Sequence, residues 1–288
     1  MTSGELKTVQ DLAALKSRSS LGYFCYLLDF CNITDSDCIG QVALETLYCI
    51  KENTKKGHKA HQKLLDLEKR WYHQLRNLGY ADYEVYSEKI YLSEVWVCFD
   101  YYAKKYIKDI FNTKLVPDLK KYIGQGSVLD LGNGIGFSSV AFTQKLPNKV
   151  IATNVKNSYQ WTLNETLSKA YSYSLIDSLC ETEKECIEIA FASEYFEHFE
   201  RPVEHLKEVL EISNPTILIC ANAFNADSTG HFDQYRDQSN MFTPKEISRL
   251  FGQTLKKYNY LKYETKCWNN RPSIYIKKEV FENCQPLH

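Results

Sequence analysis

Ser127-Val-Leu-Asp-Leu-Gly-Asn-Gly-Ile-Gly-Phe137 decides how the rest of the chain is read. Val128 to Leu131 is a short apolar run with one carboxylate, Asp130, which predicts a buried strand. Gly132, Gly134 and Gly136 follow at every second position, and from Phe137 the pattern turns helical. A strand that breaks into a glycine turn and restarts as a helix is the ligand-binding turn of an open α/β sheet. Glycine is required because the backbone bends sharply and a ligand lies against it with no Cβ between them. The helix start adds free N–H groups nearby.

A dinucleotide site asks for Gly-x-Gly-x-x-Gly, whereas here Phe137 stands where the third glycine should be. The Asp130-x-Gly132-x-Gly134-x-Gly136 spacing instead resembles motif I of the class I S-adenosylmethionine-dependent methyltransferases. The resemblance implies that Asp130, Gly132, Asn133, Gly134 and Gly136 form the S-adenosylmethionine-binding turn, which takes the amino acid end of the cofactor. It also implies a Rossmann-like sheet, mostly parallel, with an antiparallel last strand.

Phe137 to Lys145 reads as the first crossover helix and Lys149 to Thr153 as the second strand, which ends at Asn154. The family normally places an acid there to hold both ribose hydroxyls. Asn154 can donate and accept but lacks the charge, so the departure points to weaker binding, another cofactor or a shifted register. It also argues against a nicotinamide cofactor. After a helix over Ser158 to Lys169 comes a third strand in Tyr171 to Leu175, with Asp177 beyond it. By resemblance Asp177 is the acid near the adenine amine; its plain alternative is a turn residue.

The segment from Ile187 to Leu210 reads as strand four, a loop at Ser193-Glu194, and a helix started by Pro202. It resembles small-molecule and lipid members of the family through Glu197-His198 and Arg201-Pro202. Ser193 and Glu194 are thereby expected beside the cofactor. The Asn/Asp-Pro-Pro-Tyr/Phe tetrapeptide of amino methyltransferases is absent, which lowers methylation of adenine or cytosine amines. Strand five is Thr216 to Cys220, and the polar loop from Asn222 to Gln238 carries His231. Thr243 and Glu246 make a capping box, and Tyr260 to Trp268 with Ser273 to Lys277 reads as a closing hairpin. His198 and His231, on rim loops, are candidate general bases for a hydroxyl acceptor. The alternatives are a structural hydrogen bond for His198 and loop ordering for His231. Tyr195, Asp233 and Tyr235 are weaker candidates for substrate contacts.

Residues 1–115 look helical and match no family, and 116–288 hold the cofactor domain. From Lys55 a helix sets Ala60, Leu64, Leu67, Trp71, Leu75 and Leu78 on one stripe and ends at Gly79. That stripe packs on its own neighbours or forms a homodimer seam. Leu92, Val95, Trp96, Phe99 and Ala103 form an aromatic-rich face, read as core or as a substrate wall.

With 44% hydrophobic and 25% charged residues the composition is that of a globular protein, and its net charge of −1 leaves no footprint for nucleic acid. Ten cysteines stand without a Cys-x-x-Cys pair, so no metal site is expected. No run nears the roughly 18 apolar residues of a membrane span, and a cytoplasmic setting is expected. The expected activity is methyl transfer to a small molecule, sugar or metabolite. A cofactor-binding module without turnover is one alternative. The other is a nucleic-acid-modifying enzyme, supported only by Lys55, Lys56, Lys59 and Lys63.

Overall fold

The computed structural model describes residues 59–86, 95–156 and 158–284. The first 58 residues of the expected helical part, with Lys55 and Lys56, lie outside them, as does Leu92 of the aromatic-rich face. The chain divides into two compact units, Met1–Tyr101 with Ser228–Gly230, and Tyr102–Asp227 with His231–His288.

In the first unit, α1 runs Lys59–His73 and then widens into one π-helical turn, Gln74–Leu78. Gly79 ends it at φ 74°, its N–H bonded to the Gln74 carbonyl, as a C-terminal glycine does. Leu67 and Trp71 are buried, but Leu78 is exposed. The π turn inserts an extra residue and rotates the stripe, so Leu78 leaves the face that the regular spacing predicts. Arg70 and Gln74 both bond Asp82 Oδ2, at 3.0 and 2.9 Å, which holds the following segment on the helix. Tyr72 donates its hydroxyl to the Ser228 carbonyl.

Helix α2, Val95–Ile110, runs across the division, and its Ala103, Ile107 and Ile110 are buried at helical spacing. The second unit is built on a seven-stranded sheet in the order β3-β2-β1-β4-β5-β9-β8. Its strands are β1 Ser127–Leu131, β2 Val150–Thr153, β3 Ser174–Ile176, β4 Ile187–Ser193, β5 Ile217–Ala221, β8 Tyr260–Tyr263 and β9 Ser273–Lys277. The first five are parallel, and β9 is antiparallel to both β5 and β8. This is the Rossmann-like α/β fold expected, reversed last strand included.

Strands β1, β2 and β5 are buried end to end, which is why they read as unbroken apolar runs. Helices α3, Phe137–Lys145, and α4, Tyr159–Tyr171, make the crossovers from β1 to β2 and β2 to β3. Helix α5, Pro202–Ile212, makes the one from β4 to β5 in the opposite direction. Right-handed crossovers therefore put α3 and α4 on one face of the sheet and α5 on the other. The reversal of direction leaves a crevice between β1 and β4, at the carboxyl ends of the strands.

Helix α6, Pro244–Lys257, starts with the Thr243–Glu246 capping box in full. Two elements escaped the sequence reading. A hairpin of β6, Tyr235–Asp237, and β7, Asn240–Phe242, closes the polar loop, with Gln238 at φ 54° in its turn. A short helix, α7, Lys278–Asn283, follows β9. Among the described residues no helix is long and apolar enough to cross a membrane.

Candidate functional site

The glycine turn begins where β1 ends. Gly132, Gly134 and Gly136 stand at φ 61°, 56° and 93°, all in the left-handed region where a side chain is strained. A Cβ on Gly132 would lie 2.5 Å from the Tyr195 ring, and one on Gly136 would lie 2.8 Å from Asn164 Oδ1. The turn is thus packed against its own protein on both flanks.

Asp130 is buried, and its Oδ2 accepts from the Ser138 and Ser139 hydroxyls, each at 2.6 Å. It staples the start of α3 to β1. Burial pushes its pKa up to about 6, against the pull of the two hydroxyls. Four neutral side chains are bonded to the turn. Thr153 Oγ1 accepts the Gly132 N–H at 2.9 Å, and the amides of Asn133, Asn154 and Asn164 link the rest. Nothing in this set offers a pyrophosphate a cation.

Asn154 ends β2, as the sequence reading has it, but its amide is folded onto the turn. Nδ2 donates to Gly134 O at 2.7 Å and to Asn133 Oδ1 at 3.1 Å, and Oδ1 accepts the Val155 N–H at 2.8 Å. Asp177 follows β3 and pairs with Lys156 at 3.3 Å on the outer rim.

A second group gathers where β4 and β5 end. Ser193 lies opposite Ala221 in the sheet register, and the Glu194 N–H donates to the Ala221 carbonyl. Glu194 sits at φ 51° and its carboxylate pairs with Arg271, from the loop between β8 and β9. Arg271 also donates to the Ala221 carbonyl at 3.3 Å. Beside Glu194, Glu197 is fully buried, and its Oε1 accepts the Ala223 N–H at 2.6 Å. Burial raises both carboxyls above the ordinary range. Glu197 is pushed further by the Glu194 charge, whereas Arg271 holds Glu194 down. Ser193 Oγ, Glu197 Oε2 and Asn222 Oδ1 are buried here without a hydrogen-bond partner.

The rings of His198 and His231 meet edge to face at 4.9 Å. The fold therefore brings together two histidines 33 positions apart in sequence, near the buried carboxyl pair. Asp130 lies behind the turn and Asp177 at the far side of the sheet, so neither joins this group. Tyr195 and Tyr235, read as possible substrate contacts, are used internally. Tyr195 covers Gly132 and hydrogen-bonds His205 Nε2 at 2.9 Å, while buried Tyr235 donates to the Glu197 carbonyl. Nothing in the sequence pattern singles out Arg271 or Asn164. The Asn-Asn-Arg-Pro turn that carries Arg271 reads only as a hairpin connection, and Asn164 sits inside an ordinary helical stretch.

No family model matches the chain, and no curated protein does. Solved structures that it is similar to include EvdMO1, at 8% identity over 61% of this chain and 41% of that one, with a TM-score of 0.40. The chain thus spans less than half the length of EvdMO1. Others are the methyltransferase domain of bacterial CtHen1, at 15% identity over 61% and 98% with a TM-score of 0.40, and an O-methyltransferase from Bacillus cereus in complex with SAH, at 12% over 73% and 100% with a TM-score of 0.37. The fold class rests on the strand order itself: a Rossmann-like sheet with its last strand reversed.

Proposed function

We propose that the chain is an S-adenosylmethionine-dependent methyltransferase acting on a small molecule, sugar or other metabolite. The observation that supports this most is the glycine turn: three left-handed glycines between β1 and α3, at the point where the sheet reverses direction. Gly132 to Gly136 and Asn154 would line the cofactor cleft, with Ser193 and Glu194 on its β4 side and Asp177 at its outer edge. When bound, S-adenosylmethionine supplies a methyl group that is already activated. The chain then has to align the acceptor, exclude water and take up a proton. His198 and His231 are the groups for that last task, one as base and the other turning its ring.

Calorimetric titration with S-adenosylmethionine and S-adenosylhomocysteine tests the cofactor. Micromolar binding of both, tighter for the product, is expected; binding of neither refutes the reading. On an identified acceptor, His198→Ala or His231→Ala should lower turnover by about a hundredfold, and full turnover in both variants removes them as bases. Light scattering on the full chain tests the homodimer seam.

A second reading, a binding module without turnover, is favoured by the way Asn154 is used up by the turn. It predicts tight product binding with no methyl transfer to any acceptor. Docking of nucleic acid has only the lysines of the first unit to support it and would show as salt-sensitive oligonucleotide binding.

A further inference from the structure

The asparagine that ends β2 stands where an acid would hold a ribose, yet its amide faces the protein. Gly134 O accepts from two amides, Asn154 Nδ2 and Asn164 Nδ2, each at 2.7 Å. Both lone pairs of that carbonyl are thereby used, and its peptide plane is fixed. Asn164, fully buried on α4, donates also to Gln160 O at 2.9 Å and accepts from Asn133 Nδ2 at 2.7 Å and from the Tyr173 hydroxyl at 2.6 Å. Asn133 in turn donates to Ser139 Oγ at 2.9 Å and accepts from Asn154 at 3.1 Å. The three amides close a ring around Gly134 in which each N–H has an acceptor. A carboxylate at position 154 could not join that ring, because it has no proton to give to Gly134 O or Asn133 Oδ1.

We propose that Asn154 is a positioning residue, a strut that fixes the glycine turn through Gly134 and Asn133, and not a stand-in for the ribose-binding acid. Two consequences set it apart from a ribose ligand. Replacing it with the acid that the family uses should weaken the turn, although a ribose ligand would be improved by that change. The damage should also depend on pH, because a protonated carboxyl regains one O–H donor. An Asp side chain pressed against a carbonyl oxygen has its pKa raised above the free value of about 3.9. The stability of Asn154→Asp, relative to wild type, is therefore fullest at low pH and falls as pH rises through the raised value. The charged groups around this position are Lys156 and Asp177, paired on the rim, and Asp130, which reaches Asn133 through Ser139. Asp130 and Asp177 add to the rise of an introduced carboxyl and Lys156 opposes it, while Asp130's own titration, at about 6, is common to all the proteins and is read in Asn154→Ala.

The experiment compares melting temperatures of wild type, Asn154→Asp and Asn154→Ala without cofactor, at about pH 8 and about pH 5, bracketing a raised carboxyl. At the higher pH both variants should melt about 5 °C below wild type, the loss of two hydrogen bonds in a domain of this size. At the lower pH Asn154→Asp should recover half of that gap or more, and Asn154→Ala none. Wild-type stability in either variant at the higher pH, or an Asn154→Asp gap equal at both values, overturns the proposal. Should Asn154→Asp fail to fold at the higher pH, refolding on acidification is the same test, and Asn154→Ala carries the rest.

Calorimetry with S-adenosylhomocysteine adds a functional readout that rests on the cofactor reading above. Binding to Asn154→Asp should be at least tenfold weaker at the higher pH and should return at the lower, while tighter binding would make Asn154 a ribose ligand. If wild type binds neither S-adenosylmethionine nor S-adenosylhomocysteine, the cofactor reading fails, and the melting comparison still decides the strut.

Discussion

The ends of β1 and β4 lie side by side, about 4.8 Å apart as neighbouring strands are, yet they are built from opposite materials. At the end of β1, three asparagines and two serines surround the glycine turn, and each amide proton has a partner. At the end of β4, two buried carboxyls lie side by side with one guanidinium, which pairs with Glu194, and polar atoms of Ser193, Glu197 and Asn222 are left without partners. Neutral amides hold a shape whatever the pH. Buried carboxyls hold a proton that the surroundings can move, because their raised pKa values bring ionisation toward neutrality. One region is a fixed mould, and the other is where proton chemistry fits. Tyr195 joins them, its ring on Gly132 and its hydroxyl on His205.

The largest effect should come from breaking the mould. Gly132→Ala meets the Tyr195 ring at 2.5 Å and a backbone φ of 61° together. The ring cannot retreat, because Phe196 and Phe199 pack edge-on against it at 5.2 and 5.0 Å. Overpacking and left-handed strain together should cost about 3–4 kcal/mol. A urea midpoint within error of wild type would show that the Tyr195 ring has room to move.

Asp130 is the one carboxyl within the neutral region, and it marks the limit of the contrast. Its folded pKa of about 6 lies above the unfolded value near 3.9, so ionisation penalises folding. Its contribution is fully present below about pH 4 and is lost as pH rises through 6, by up to about 3 kcal/mol. Asp130→Asn, which keeps an acceptor for the two serines, should lack that slope. Denaturation at several pH values checks this, and parallel curves for the two proteins would contradict it.

What could be read from the sequence follows how local each feature is. The glycine turn, the capping box at Thr243 and the caps at Gly79 and Ser158 are settled within a few residues, and their elements stand where the pattern puts them. Asn154 stands where the pattern puts it, but its bonds to Gly134 and Asn133 leave no trace in the sequence, because a sequence does not show which way an amide faces. Arg271 reaches Glu194 across 77 positions, and Asn164 reaches Gly134 across 30. Such pairs leave no local pattern. The hairpin over Tyr235 to Phe242 was missed because its strands are three residues each, too short for alternation to register. Leu78 fell outside its stripe for a mechanical reason, the π turn.

In the carboxyl region, Arg271→Met should matter next. It removes the charge that faces Glu194 and leaves the buried pair without compensation, at a cost of about 2 kcal/mol for a guanidinium that keeps some contact with water. Without Arg271 the Glu194 carboxyl moves further up. The penalty should therefore be small at acid pH, where Glu194 is protonated, and should grow as pH rises through its raised folded value. Chemical denaturation at acid and neutral pH reads this directly. An equal loss at both would mean that packing of the Arg271 stem, and not its charge, is what matters.

The smallest effect separates the two supports of Tyr195. Its hydroxyl bonds His205, whose Nδ1 meets Glu208 at 2.8 Å, while the ring is held by aromatic packing that includes Phe199 stacked on His205 at 4.1 Å. Burial lowers the pKa of His205 and Glu208 raises it, so near neutral pH the ring is held mainly neutral and needs only an acceptor for its Nδ1–H. Glu208→Gln keeps that acceptor and removes a half-exposed charge, so it should cost about 0.5 kcal/mol, or about 1–2 °C in melting temperature. A loss approaching that of Gly132→Ala would mean that Tyr195 is held over the turn through the His205–Glu208 charge. The mould would then share the proton dependence of the carboxyl region, and the division between the two would fall.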